Sequence, residues 1–167
     1  MIKIVRVFTV IAAVMMCGGI VQASQIENHG RPGHMAESGA GSSHVDVVKH
    51  NACKYCGMDR EKFAHSRMLV TYSDGSTVGV CSIHCLVTEL KVNKDKMVKT
   101  IEVADLNSKK LINVEKATWV IGGAKKGVMT KIPKWAFAQK EDAAAFISKN
   151  GGKLASYKEV LAIAEIE

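Results

Sequence analysis

Arg67-Met68-Leu69-Val70-Thr71-Tyr72-Ser73-Asp74-Gly75-Ser76-Thr77-Val78-Gly79-Val80-Cys81 is the stretch that decides the fold. In residues 67–72, Met68, Val70 and Tyr72 recur at every second position, the period of a strand with one buried face. Asp74-Gly75 follows, a pair suited to the positive φ angles of a tight hairpin turn. Residues 77–81 then supply the return strand. Beyond it the period changes: Ile83, Leu86, Val87 and Leu90 fall on one helical face, with Ser82 in place as N-cap. Residues 97–104 alternate again. The reading is a β-β-α-β unit.

The same order recurs downstream. Residues 118–121 are strand-like, 122–127 form a turn-rich connection and 128–131 are expected to return. Ala143, Phe146 and Ile147 mark a helix that Gly151 ends. Residues 153–155 make a short strand, and Ser156 with Glu159 forms a capping box for a last helix through Ala164. The expected fold is therefore α+β, with two tandem β-β-α-β units (about 51–106 and 107–167), small antiparallel or mixed sheets, and a C-terminal helix.

Upstream of the folded part, Lys3 and Arg6 precede an uncharged, apolar or small stretch over residues 7–21. That length suits a signal-peptide core better than a membrane span of about 20 residues. Cleavage after Ala23, following Val21-Gln22-Ala23, is one expectation; lipidation of Cys17 before Gly18-Gly19, with attachment to a membrane, is another, and an uncleaved anchor a third. Each carries the remainder to the periplasm. Residues 24–50 are rich in Gly, Ser and Ala, hold His29, His34, His44 and His50, and lack periodicity, so they read as a flexible linker. The metal-binding domain is expected over 51–167.

The chain carries a net charge of +7, and only 5% of its residues are aromatic. Its lysines are scattered rather than clustered among aromatics, which, with export, argues against nucleic acid as a partner. No acid–base dyad or activated serine stands out, so no enzymatic activity is expected.

Chemistry concentrates in the cysteines. Cys53-Lys54-Tyr55-Cys56 is C-x-x-C, and Cys81-Ser82-Ile83-His84-Cys85 is C-x3-C. A close pair on a loop plus a second pair where a strand meets a helix is the economy a metal site requires. Cys85 falls in the first turn of its helix, where free N–H groups favour a thiolate, and it is expected to point away from the apolar stripe. In Cys56-Gly57-Met58 the glycine permits a tight fold that can converge thiolate and thioether, a soft donor set suited to Cu(I). Met129, expected on the return strand of the second hairpin, could reach the same cleft; packing is the alternative for both methionines. His65 and His84 are candidate secondary ligands. Three competing readings stay open: a structural Zn²⁺ site of four cysteines, a thiol–disulfide oxidoreductase using Cys53 and Cys56, and disulfides alone.

Cys53-x-x-Cys56-Gly57-Met58, the Asp74-Gly75 hairpin, Thr118-Trp119-Val120-Ile121-Gly122, Gly127-Val128-Met129, and Ala136-Phe137-Ala138 with Ala143-x-x-Phe146 resemble the NosL family in order over about residues 50–160. Those proteins are copper-binding accessory factors for nitrous oxide reductase, many of them lipoproteins. The resemblance implies a tandem β-β-α-β fold, Cu(I) binding through Cys56, Met58 and Met129, and delivery to a client metalloprotein. The stretch from Cys53 to Cys85 also resembles the TRASH-type heavy-metal motif with its late C-x3-C pair.

Overall fold

The computed structural model describes residues 44–167. The stretch read as an export signal, Cys17 and the expected linker as far as residue 43 lie outside them. The end of the stretch read as linker forms a short helix, α1 (Val45–Lys49), which buries Val47.

Strands β1 (Met68–Tyr72) and β2 (Thr77–Val80) form the expected antiparallel hairpin, with Met68 opposite Val80 and Thr71 opposite Thr77. The turn closes by Gly75 N–H donating to the Tyr72 carbonyl at 3.0 Å, with Gly75 at φ 81°. Asp74 braces it by accepting from the Ser76 amide and hydroxyl. Met68, Val70 and Tyr72 are all buried, as their period demands. Helix α2 (Ile83–Val92) follows, and β3 (Val98–Ala104) pairs antiparallel with the other edge of β1. A short strand, β4 (Leu111–Asn113), extends the sheet to the order β2-β1-β3-β4.

The second unit repeats the plan with β5 (Thr118–Ile121), β6 (Lys134–Phe137), α3 (Lys140–Asn150) and β7 (Lys153–Ala155), in sheet order β6-β5-β7. All pairings are antiparallel. In both units the first strand is central, flanked by its hairpin partner and by the strand after the helix. The fold is therefore α+β with tandem β-β-α-β units. Helix α3 stops at Gly151, which takes φ 73° and donates to the Ile147 carbonyl. Helix α4 (Tyr157–Glu165) opens with the expected Ser156–Glu159 capping box.

The return strand of the second hairpin departs from expectation: it is Lys134–Phe137, not residues 128–131. Met129 sits at φ 53°, a left-handed conformation incompatible with an extended strand, and Gly127 has no room for a side chain beside Thr130 and Pro133. Pairing resumes only beyond Pro133, whose carbonyl accepts from Gly122 N–H at 2.8 Å.

The two units share one core. Met68, Val80 and Leu86 of the first pack in the same cluster as Trp119, Ala136, Val160 and Ala164 of the second. Trp119 Nε1 donates to the Val114 carbonyl at 2.8 Å, so this large ring is buried without an orphaned donor. A smaller cluster of Leu106, Val120, Trp135, Phe137 and Ala143 lies beneath α3.

Candidate metal centre

Residues 53–58 make a tight loop because two backbone bonds cross it: Cys53 N–H donates to the Met58 carbonyl at 2.8 Å, and Gly57 N–H to the Cys53 carbonyl at 2.9 Å. Gly57, at φ 71°, supplies the left-handed position that this reversal needs. Arg60 fixes the loop to the sheet. Its guanidinium is fully buried and donates to the carbonyls of Val80, Met68, His50 and Asp46 and to the Asp46 carboxylate. Arg67 holds the other side of the same carboxylate. Gly79 leaves space for this arginine, since a Cβ there would lie 2.5 Å from Arg60 Nη1. Burial alone would raise the Asp46 pKa; hydrogen bonds and charge from Arg67 and Arg60 overcome it and hold the carboxyl below its ordinary value.

The loop delivers Cys53 and Cys56 against Cys81, at the end of β2, and Cys85, in the first turn of α2. All four sulfurs lie within 4.8 Å of one another, and none is in a disulfide. Cys56 Sγ is 3.4 Å and Cys85 Sγ 3.8 Å from Cys81 Sγ. Cys53, Cys81 and Cys85 are buried, whereas Cys56 is exposed. A tetrahedral thiolate site with bonds of about 2.3 Å spaces its sulfurs about 3.8 Å apart. The two distances to Cys81 lie close to that spacing, and the other sulfur pairs lie within 4.8 Å, near enough for all four to be drawn onto one ion.

The electrostatics favour one thiolate at the centre. Hydrogen bonds from Cys85 and Cys56, with the Ser82 hydroxyl 3.8 Å away, hold the Cys81 thiol down to about 5 against the effect of burial. Cys85 shifts upward, first because it hydrogen-bonds Cys81 as the protonated partner and then because it is buried. Cys85 is buried although helical spacing sets it on a different face from Ile83, Leu86 and Val87, because α2 packs against β1, β2 and α4 and the cysteine loop reaches Glu89 on the same helix. Ser82 occupies the N-cap position, but its side chain makes no capping bond and lies near Cys81 instead.

The other expected ligands are placed less centrally. Met58 is partly buried against the core that holds the cysteines. Met129 lies on the β5–β6 connection, 43% exposed; its neighbours Val128 and Thr130 line a small recess with Ser82 and Ile83, at the cysteine end of α2. Neither His65 nor His84 joins the sulfur group. His65 stacks on Trp135, with ring centroids 6.3 Å apart, and burial followed by nearby Lys109 and Lys125 lowers its pKa. His84 is half-buried on α2.

Sequence reasoning missed the groups behind the cysteines. Glu89 is fully buried, four residues after Cys85, and that i+4 spacing was the available signal. Its Oε2 accepts from Tyr55 Oη at 2.6 Å and Lys54 Nζ at 3.2 Å; Oε1 accepts from Tyr72 Oη at 2.5 Å and Asn93 Nδ2 at 3.0 Å. Burial works against its charge, yet the bonds from Tyr55, Tyr72 and Lys54 hold it below its ordinary value. Both tyrosines shift upward, from burial and then from bonding to Glu89.

The family model for NosL matches residues 44–163. Among solved structures, the chain is similar to the copper chaperone NosL from Shewanella denitrificans. The identity is 27%, covering 65% of this chain and 87% of that one, with a TM-score of 0.50. No curated protein matches. The match spans both β-β-α-β units and all four clustered cysteines, and the chain belongs to the NosL family.

Proposed function

We propose that the protein is an exported copper chaperone that carries Cu(I) in its cysteine cluster and passes it to a client metalloprotein outside the cytoplasm. The observation that carries this reading is the asymmetry of the cluster: four converging thiols, three buried and one exposed. Thiolates select soft ions such as Cu(I). A structural metal site is closed by its ligands, whereas Cys56 leaves an edge open to an incoming donor. Ligand exchange would begin there, with the client's sulfur or imidazole displacing Cys56 while Cys53, Cys81 and Cys85 retain the ion. Met58, two residues from Cys56, and Met129, exposed on the β5–β6 connection, are the thioethers assigned to this edge. The similar solved protein is a copper chaperone, which supports copper as the cargo. The client assigned is a periplasmic copper enzyme, nitrous oxide reductase being the one the family implies. Export rests on the reading of residues 1–23, through cleavage after Ala23 or lipidation of Cys17.

Four converging cysteine sulfurs also match the ligand count of a structural Zn²⁺ site, and the same experiment decides between the two. The reduced protein is titrated with Cu(I) and with Zn²⁺ against a competing chelator for each. Retention of Cu(I) with ready loss of Zn²⁺ is expected; tight Zn²⁺ and loss of Cu(I) to a weak chelator would overturn the copper reading.

A further inference from the structure

The two residues between the cysteines of the C-x-x-C, Lys54 and Tyr55, both reach the same buried carboxylate, Glu89. Glu89 stands one helical turn beyond Cys85 on α2. The loop that carries one cysteine pair is therefore tied, through a single side chain, to the helix that carries a member of the other. The remaining oxygen of Glu89 is anchored to β1 by Tyr72 and to α2 by Asn93, so the carboxylate is held at a fixed point. Charged residues are almost never fully buried unless something specific holds them. Here the bonding accounts for Glu89, and two of its partners, Lys54 and Tyr55, lie on the cysteine loop.

We infer that Glu89 is a positioning residue for the metal centre: through Tyr55 and Lys54 it clamps the Cys53–Cys56 loop to α2 and sets the spacing of the four sulfurs before metal arrives. This rests on the cysteine cluster being the Cu(I) site. A preformed cluster spares the ordering of a mobile loop at the moment of binding, and groups that orient ligands from behind typically govern affinity by about 10–100-fold. Of the two ties, Tyr55 matters more. Its hydroxyl donates at 2.6 Å from a ring partly buried against the core, whereas the Lys54 side chain is half exposed and its ion pair correspondingly weak.

Tyr55 and Tyr72 make nearly equal hydrogen bonds to the same group, but only Tyr55 lies between the cysteines. This provides an internal control. Full-length protein carrying Tyr55→Phe, Tyr72→Phe or Glu89→Gln is compared with the parent in three ways. These are Cu(I) affinity by chelator competition, alkylation rate of Cys53 in the metal-free reduced state, and metal-free melting temperature. Tyr55→Phe is expected to weaken Cu(I) binding about tenfold and to expose Cys53 to faster alkylation. Glu89→Gln should do at least as much, and Tyr72→Phe should lower the melting temperature with less effect on affinity and alkylation. If Tyr55→Phe binds Cu(I) and alkylates like the parent, the positioning role is overturned. Equal losses from the two tyrosine variants, tracking melting temperature, would likewise reduce Glu89 to a structural support. If the parent itself fails to hold Cu(I), the copper reading beneath this inference fails first.

Discussion

At the scale of single residues, the cluster is built from unequal parts. Cys81 is central, with a sulfur on either side, while Cys56 is the exposed member of the four. The thioethers can be separated from packing by substitution. Met58→Leu and Met129→Leu keep volume and apolarity nearly constant, so each should cost less than about 1.5 kcal/mol of folding stability. For Met129, exposed on its loop, the cost should be smaller still. Each variant is expected to bind Cu(I) more weakly in chelator competition while the metal-free melting temperature falls by no more than that small cost allows; parental affinity would return that methionine to a packing role. The four cysteines were legible in the sequence because C-x-x-C and C-x3-C spacing is itself the signal. Glu89, Tyr55 and Arg60 were not. A lone acid or arginine in a sequence reads as surface, and only the tertiary structure shows that its partners come from segments up to 35 residues away.

At the scale of elements, α1 was the least legible. Its sequence follows a Gly/Ser/Ala-rich arm, and five residues are too few to hold a helix by propensity. Asp46 holds it in place instead, by docking between the buried guanidinium groups of Arg60 and Arg67. Asp46→Ala leaves two buried cations without their counter-charge, and breaking such a buried pairing typically costs about 3–5 kcal/mol. The expected outcome is a fall of that order in denaturant-derived stability, with the cysteine loop loosening as Arg60 loses its orientation. A change within 1 kcal/mol would mean that backbone carbonyls alone satisfy the arginines. The first hairpin was readable to within a residue because Asp-Gly and strict alternation coincide there. The second was not. Residues 128–131 were expected to return as a strand, but Gly127 and the left-handed Met129 turn the chain, and pairing waits until Lys134.

At the scale of the molecule, one core runs beneath both units, so the site and the fold respond together to conditions that unsettle either. Acid is the clearest case. Asp46 and Glu89 are both held below their ordinary values of 3.8 and 4.5. A carboxyl depressed on folding contributes stability that is fully present above the unfolded value and is lost as pH falls through the folded one. The melting temperature of the metal-free protein should therefore not decline on this account between neutrality and about pH 5, and should drop below about pH 4.5 as both carboxylates protonate. Glu89→Gln should flatten part of that drop. A parental profile unchanged down to pH 3 would mean that neither buried carboxylate is held by its partners.

The central claim, that four thiols from two distant segments form one soft-metal site, is tested most directly by X-ray absorption at the copper edge of the Cu(I)-loaded protein. The expected spectrum has a first shell of sulfur alone, three or four atoms at a common distance. A shell containing nitrogen or oxygen, with two sulfurs or fewer, would contradict it and place copper outside the cysteine cluster.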